Sequence, residues 1–352
     1  MPGTLRLIVS TPAAAPFHRL RRGSSQAFVE NPAWYSAGTE TALSSCVFLS
    51  LALFYRVHSI LPPRIQNILT AGLLRLLSAL PYSFVARMGE SLGALLHRIP
   101  GKRRHIVQTN LRLCFPEKSD TEREQLGKMI FRQVVRSYLE RGVQWYGTAE
   151  QLTSLTDVHS AIDLHDSYDQ PTIFLGFHFA AIEAACMAYS ILHPVASIYT
   201  PMSDRTTDNL ALRQRARFGT EMVARHSSAR NTLRILRSGK PIMLAADMDF
   251  GLRDSVFAPF FGIQACTLTA VSRLAKLSGA RVVPFVAEVK DGYQGYTLRI
   301  FEPLANYPSN DLLADALAMN RFLETQIERL PDQYYWVHRR FKRRPQGEAP
   351  VY

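Results

Sequence analysis

Between Pro171 and Gly279, short apolar runs rich in β-branched and aromatic residues alternate with stretches whose apolar residues recur at helical spacing. No other feature narrows the fold as far. A short apolar run reads as a strand buried on both faces, and strands separated by helical crossovers pair in parallel. The expected strands are the run from Pro171 to Gly176, Val195–Tyr199 and Pro241–Ala246; the expected helices are Asn209–Phe218, Ala229–Arg237 and Thr267–Ser278. Past Gly279, Arg281–Val289 and Tyr296–Phe301 read as two strands joined at Asp291-Gly292, and Asp311–Leu330 as a long helix. The fold class expected is α/β: a mixed, largely parallel sheet flanked by helices, with an antiparallel pair appended.

Open α/β sheets place their sites at the carboxyl ends of the strands. His178 sits at such an end, and Glu183 follows five residues later. On one helix the two would lie roughly 140° apart, so they meet only if His178 is on the turn before the helix and Glu183 on its first turns. That layout suits a base with an orienting carboxylate; the pair also reads as a core histidine and a surface glutamate. A second candidate, Asp247-Met-Asp-Phe-Gly-Leu-Arg253, follows the strand ending at Ala246. Asp247 and Asp249 alternate and so point the same way on an extended chain, where they could bind a metal, hold an arginine or position a hydroxyl. They could equally be loop acids that balance Arg253. Arg215 and Arg217 suit phosphate or an oxyanion if they stand near the His178 turn, and otherwise a solvated helix face. The aromatic loop Ser255–Gly262 either lines an acyl-chain tunnel or packs as core.

Upstream of the sheet the chain changes character. Residues 1–40 are rich in Pro, Ala, Ser and Arg without sustained periodicity and read as a disordered extension. Residues 41–100 hold two apolar segments, Thr41–Tyr55 and Ile65–Phe84, each marginal for a full span. They read as a membrane-anchoring helical region or a buried helical pair, and the basic flank from Arg98 to His105 favours the membrane and its cytoplasmic side. The domain carrying the chemistry is expected over 101–345, with a short tail over 346–352. Gly89-Glu-Ser-Leu-Gly93 matches a serine-hydrolase elbow, but no strand precedes it, so it reads as a small-residue helix-packing face. Thr121 and Glu124 read as a capping box opening a long helix from Glu122 to about Tyr146. His159 and His165, with Asp163 and Asp166, show no diagnostic spacing, and no metal is expected. The four widely spaced cysteines, Cys46, Cys114, Cys186 and Cys266, read as reduced core thiols.

A net charge of +12 calls for an anionic partner: nucleic acid, an anionic lipid surface or an acidic protein. The stretch Tyr334–Pro345 interleaves aromatic and basic residues, which suits stacking on nucleic acid or seating at a membrane interface.

Several motifs in order carry a resemblance. They are His105-Ile-Val-Gln-Thr-Asn-Leu-Arg-Leu-Cys-Phe-Pro-Glu117, His178 with Glu183, Arg215-Ala-Arg217, Asp247-Met-Asp-Phe-Gly251, Val256–Gly262, and Asp332-Gln-Tyr-Tyr-Trp-Val-His-Arg-Arg-Phe-Lys-Arg-Arg-Pro345. From about Ile65 to the C-terminus the chain resembles the bacterial lipid A late acyltransferases, although Thr200-Pro201 stands where that family carries Arg-Pro. The resemblance implies a glycerol-phosphate-acyltransferase-like fold anchored at the cytoplasmic face of the bacterial inner membrane. It implies transfer of a fatty acyl chain from acyl carrier protein to a hydroxyl of a 3-hydroxyacyl chain on a lipid A precursor, an anionic glycolipid. His178 would be the general base and Glu183 its orienting carboxylate, with Arg215, Arg217, Asp247, Asp249 and Arg253 contacting substrate. No cofactor and no nucleic-acid partner are implied. The rival readings are a lysophosphatidate-type acyltransferase, whose usual acid at the Glu183 position is aspartate, and a membrane-associated nucleic-acid-binding protein.

Overall fold

A computed structural model describes Leu7–Val9 and residues 62–352, apart from 203 and 228. The apolar segment Thr41–Tyr55 and Cys46 lie outside the described residues. In chain order the elements are β1 Leu7–Val9, α1 Pro63–Ser78, α2 Tyr82–His97, α3 Lys102–Cys114, α4 Asp120–Leu139, α5 Arg141–Tyr146, α6 Ala149–Ser154, β2 Thr156–Ser160 and α7 Asp166–Asp169. There follow β3 Thr172–Gly176, α8 Ile182–Leu192, β4 Ala196–Tyr199, α9 Arg205–Ala216, β5 Glu221–Ala224, α10 Ala229–Arg237 and β6 Ile242–Ala245. The last are β7 Ser255–Phe260, β8 Ile263–Leu268, α11 Ala270–Ser278, β9 Arg281–Val289, β10 Tyr296–Ile300 and α12 Leu312–Arg329.

The expected α/β architecture is present. The main sheet has eight strands in the order β1-β2-β10-β9-β3-β6-β4-β5. From β9 to β5 all neighbours pair in parallel. The expected antiparallel pair is β9 with β10, but it does not end the sheet. The exposed edge of β10 recruits β2, and β2 recruits β1, each in parallel. Leu7–Val9, inside the stretch read as disordered, thus forms an edge strand. The polar segment 156–160 was not expected to be a strand; alternate residues are buried while the others stay polar, so it shows no apolar run.

The loop read over 255–262 is instead the first arm of a hairpin, β7 with β8. Phe261 and Gly262 both adopt positive φ, 49° and 75°, which is a type I′ turn. Asn-Gly or Asp-Gly would have announced it; Phe-Gly does not. β8 takes Thr267 and Leu268, so α11 starts at Ala270. Ala258 and Phe260 are buried in the core, which settles the loop as packing.

Two helical details move. The capping box opening α4 is Ser119 with Glu122, two residues before the expected pair. Both spacings satisfy the rule, and the earlier one also places Asp120 and Glu122 in the first turn, where the helix dipole favours acids. The long helix is also interrupted at Glu140 before α5. The Gly89/Gly93 face behaves as expected: a Cβ at Gly89 would come 2.5 Å from Cα of Arg136, and one at Gly93 2.4 Å from the carbonyl oxygen of Phe131. Only glycine lets α2 lie this close to α4.

No helix among the described residues is long and apolar enough to cross a membrane. α1 packs Leu74 and Leu77 with Val143 and Trp145, and turns Ile65, Ile68, Leu69, Leu73 and Leu76 outward, Ile68 being 70% exposed. Cys114 and Cys266 are buried, Cys186 is half-buried, and all three are free thiols.

Candidate active site

Strand register places the two central groups. β3 and β6 pair in parallel with Gly176 opposite Ala245. Two residues beyond each strand end stand His178 and Asp247, so the pairing itself brings them face to face. Gly176 is required there: a Cβ would meet the Phe285 ring at 2.5 Å. The Asp247 carboxylate accepts a 2.6 Å bond from His178 Nδ1 through Oδ1 and a 3.0 Å bond from the His178 backbone N–H through Oδ2. The carboxylate can only accept, so Nδ1–H donates, and in the neutral imidazole that leaves the lone pair on Nε2. His178 lines a cavity of about 480 Å3.

Asp247 is buried, which opposes its ionisation. The facing His178, with its ring and backbone hydrogen bonds, and the nearby His338 outweigh that cost and hold the carboxyl well below the usual range. The carboxylate that orients His178 is therefore Asp247, 69 residues away, and not Glu183.

Glu183 lies in the first turn of α8, as its spacing required, and lines the same cavity. Its carboxylate is gripped from the other side: Arg215 donates from Nε at 2.8 Å and Nη2 at 2.7 Å, and Trp145 Nε1 donates at 2.9 Å. Burial pushes its pKa up, but the fork of Arg215, with Arg141 and Trp145, brings it down to about 2. Glu183 is thus a permanent anion that fixes Arg215 at the cleft wall.

The rest of the lining is largely apolar and includes Met187, Val195, Ile198, Met222, Met243, Leu244, Met248, Phe250 and Phe285. The cleft therefore combines an imidazole and a charged pair at one side with a largely apolar lining. Among the described residues no three His, Cys, Asp or Glu side chains gather as metal ligands.

Residues 56–343 match the family model for bacterial lipid A biosynthesis acyltransferases. The chain belongs to that family. A lipid A biosynthesis lauroyltransferase of Escherichia coli (strain K12) is 34% identical over 284 residues, covering 80% of this chain and 92% of the relative. A lipid A biosynthesis palmitoleoyltransferase of the same strain is 32% identical over the same shares. A lipid A biosynthesis acyltransferase of Haemophilus influenzae is 31% identical over 301 residues, 84% of this chain and 96% of the relative.

In this acyltransferase the other expected contacts are distributed differently. Arg217 donates to the carbonyl oxygens of Gln144 and Gly147 and stacks on Phe218, which ties α9 to the end of α5. Asp249 accepts from the Arg343 backbone and from its Nη1 at 2.6 Å. Arg253 is almost fully exposed and, among the described residues, pairs only with Asp254. None of these three lines the cavity.

Much of the basic aromatic stretch near the C-terminus is packed inside the fold. Tyr334, Trp336, Arg340 and Phe341 are completely buried. Arg340 donates to the carbonyl of Cys266 and to Thr267 and Asn320. The same stretch braces the turn that carries His178, for the Tyr335 N–H donates to the carbonyl of His178 and the Ala180 N–H to that of Gln333. Its charge pattern looked superficial because Arg340 and Arg343 take partners brought in from afar.

Tyr138, Arg141 and Tyr335 line the cleft, and Trp145 binds its Glu183, without having been singled out in its chemistry. Tyr138, Arg141 and Trp145 are spaced i, i+3 and i+7 along one helical path, a stacked cation between two aromatics that the sequence displays.

Proposed function

We propose that the protein moves a fatty acyl chain from an acyl carrier protein thioester to a hydroxyl of a 3-hydroxyacyl chain on a lipid A precursor. The observation that carries this reading is the His178 Nε2 lone pair at an apolar cavity, with Nδ1 fixed by a buried carboxylate. The relatives, a lauroyl- and a palmitoleoyltransferase of lipid A biosynthesis, supply the acceptor class.

The acceptor hydroxyl gives its proton to Nε2 as its oxygen attacks the thioester carbon. The Asp247 carboxylate stabilises the imidazolium that results. When the tetrahedral intermediate collapses, the C–S bond breaks, the ester remains, and the imidazolium returns the proton to the departing thiolate. Arg215, whose Nε and Nη2 are held by Glu183, still has Nη1 to offer the oxyanion. No covalent acyl-enzyme is needed. The apolar wall of Met187, Met222, Met243 and Phe285 takes the acyl chain.

The outward apolar stripe of α1 and the net charge of +12 suit seating on an anionic leaflet at the cytoplasmic face of the inner membrane, and a basic surface also suits an acidic carrier protein. The test is incubation with acyl carrier proteins of several chain lengths and a lipid A precursor, with a lysophosphatidate control, read by mass spectrometry. A gain of one acyl chain on the lipid A precursor is expected. Transfer to lysophosphatidate alone would overturn the assignment.

A further inference from the structure

The arginine, histidine and carboxylate side chains lining the cleft are Arg141, His178, Glu183 and Arg215. Three of them are engaged with one another or with Asp247. Arg141 is not. Its guanidinium lies 4.4 Å from the centroid of the Tyr138 ring and 5.5 Å from that of Trp145; it feels the Glu183 charge, but among the described residues it donates no hydrogen bond and forms no ion pair. Stacking holds the plane of the guanidinium and leaves its five in-plane N–H donors uncommitted. The frame is itself fixed: Trp145 donates to Glu183, and the Tyr138 hydroxyl meets that of Tyr335 at 2.8 Å. A planar fork pre-set in this way matches two oxygens of a phosphate.

Position says which phosphate. Arg141 opens α5, and the next residue, Gly142, is so close to α1 that a Cβ on it would meet the Leu74 carbonyl at 2.8 Å. α1 is the helix that turns Ile65, Ile68, Leu69, Leu73 and Leu76 to the outside. The free cation thus stands where the cleft meets the apolar-faced helix, the side from which a lipid would enter. Resting on the acyl-transfer reading above, we propose that Arg141 binds a phosphate group of the lipid acceptor and so registers its hydroxyl against His178.

The test pairs kinetics with direct binding. Steady-state rates are measured for the wild-type enzyme and Arg141→Gln with the phosphorylated acceptor and with the same acceptor after phosphatase treatment, varying acceptor and thioester separately. Losing the fork should raise the KM for the phosphorylated acceptor by at least about tenfold, the size of one charge-assisted hydrogen bond. The KM for the thioester should not move, and the dephosphorylated acceptor should no longer distinguish the two proteins. Equal losses on both acceptors would overturn the proposal and make Arg141 part of the oxyanion site or the framework. A raised KM for the carrier thioester would also overturn it, by giving the residue to the donor.

In the binding arm, titration calorimetry with dihexanoyl phosphatidate should show at least about tenfold weaker binding in Arg141→Gln; unchanged affinity would refute the idea. If the wild type acylated neither acceptor, the acyl-transfer reading would fall while this arm still decided the phosphate site. Should Arg141→Gln melt early, Arg141→Lys carries the same test. It keeps the charge without the fork and is expected to give an intermediate KM.

Discussion

His178, Asp247, Glu183 and Arg215 divide into two pairs with different tasks. In the mechanism proposed above, His178 with Asp247 handles the proton, while Glu183 with Arg215 holds charge still. The second pair has a measurable signature. Because the folded-state pKa of Glu183 is about 2 and that of an unperturbed glutamate is about 4.3, ionised Glu183 contributes stability that is complete above the higher value. That contribution is lost as pH falls through the lower one. Glu183→Gln should therefore be less stable than the wild type near neutrality, and the gap in urea midpoint should narrow steadily as pH falls from about 4.3 toward 2. A gap independent of pH would show that the carboxylate is not held by its charge.

At this scale His178 was legible, and its true partner was not. A short spacing such as 178 to 183 is visible by eye, whereas Asp247 reaches His178 only through the register of two parallel strands. Nothing local to either residue encodes that register.

Among the elements, α2, α4 and β10 meet over a buried charged cluster outside the cleft. Arg136 donates to Glu90, Glu140 and the Tyr82 hydroxyl, and Gln144 reaches Tyr296. Arg136 and Glu140 are both buried, so neither can lose its partner cheaply. Arg136→Met should destabilise the fold by roughly 3–5 kcal/mol, because Glu140 is left buried and unpaired, as read by urea denaturation. Loss below about 1 kcal/mol would mean that water or a neighbour satisfies the carboxylate.

The strands β3, β4, β6, β9 and β10 and the helices that follow them were readable, because burial on both faces writes itself as apolar runs, whereas the edge strand Glu221–Ala224, with one buried residue, was not. The hairpin β7–β8 was hidden by a type I′ turn built on Phe261-Gly262, and β2 by its polar, half-exposed composition. The C-terminal arginines misled for a third reason. Composition reports charge, but not that Arg340 is buried against three partners.

Taken whole, the molecule sets an apolar cleft beside a helix whose apolar side faces out. That side is expected to touch lipid. Replacing Leu73 and Leu76 together with serine removes several exposed methyl and methylene groups, each worth about 0.8 kcal/mol if buried in lipid. The double variant should keep its melting temperature and float far less with anionic vesicles in a sucrose gradient. Unchanged flotation would move membrane contact to some other part of the chain.

The catalytic account stands on the hydrogen bond between His178 and Asp247. Asp247→Asn keeps the shape but lets the amide turn its NH2 to Nδ1, which moves the imidazole proton to Nε2, the nitrogen that must accept one. Single-turnover acyl transfer to the lipid A precursor is the direct measurement. His178→Ala is expected to lose about 10²–10⁴-fold or more, and Asp247→Asn to fall by roughly 10⁴, with both proteins folded and substrate binding retained. Transfer by Asp247→Asn within about threefold of the wild type, well inside what a lost tautomer allows, would contradict the assignment of His178 as a base oriented by Asp247.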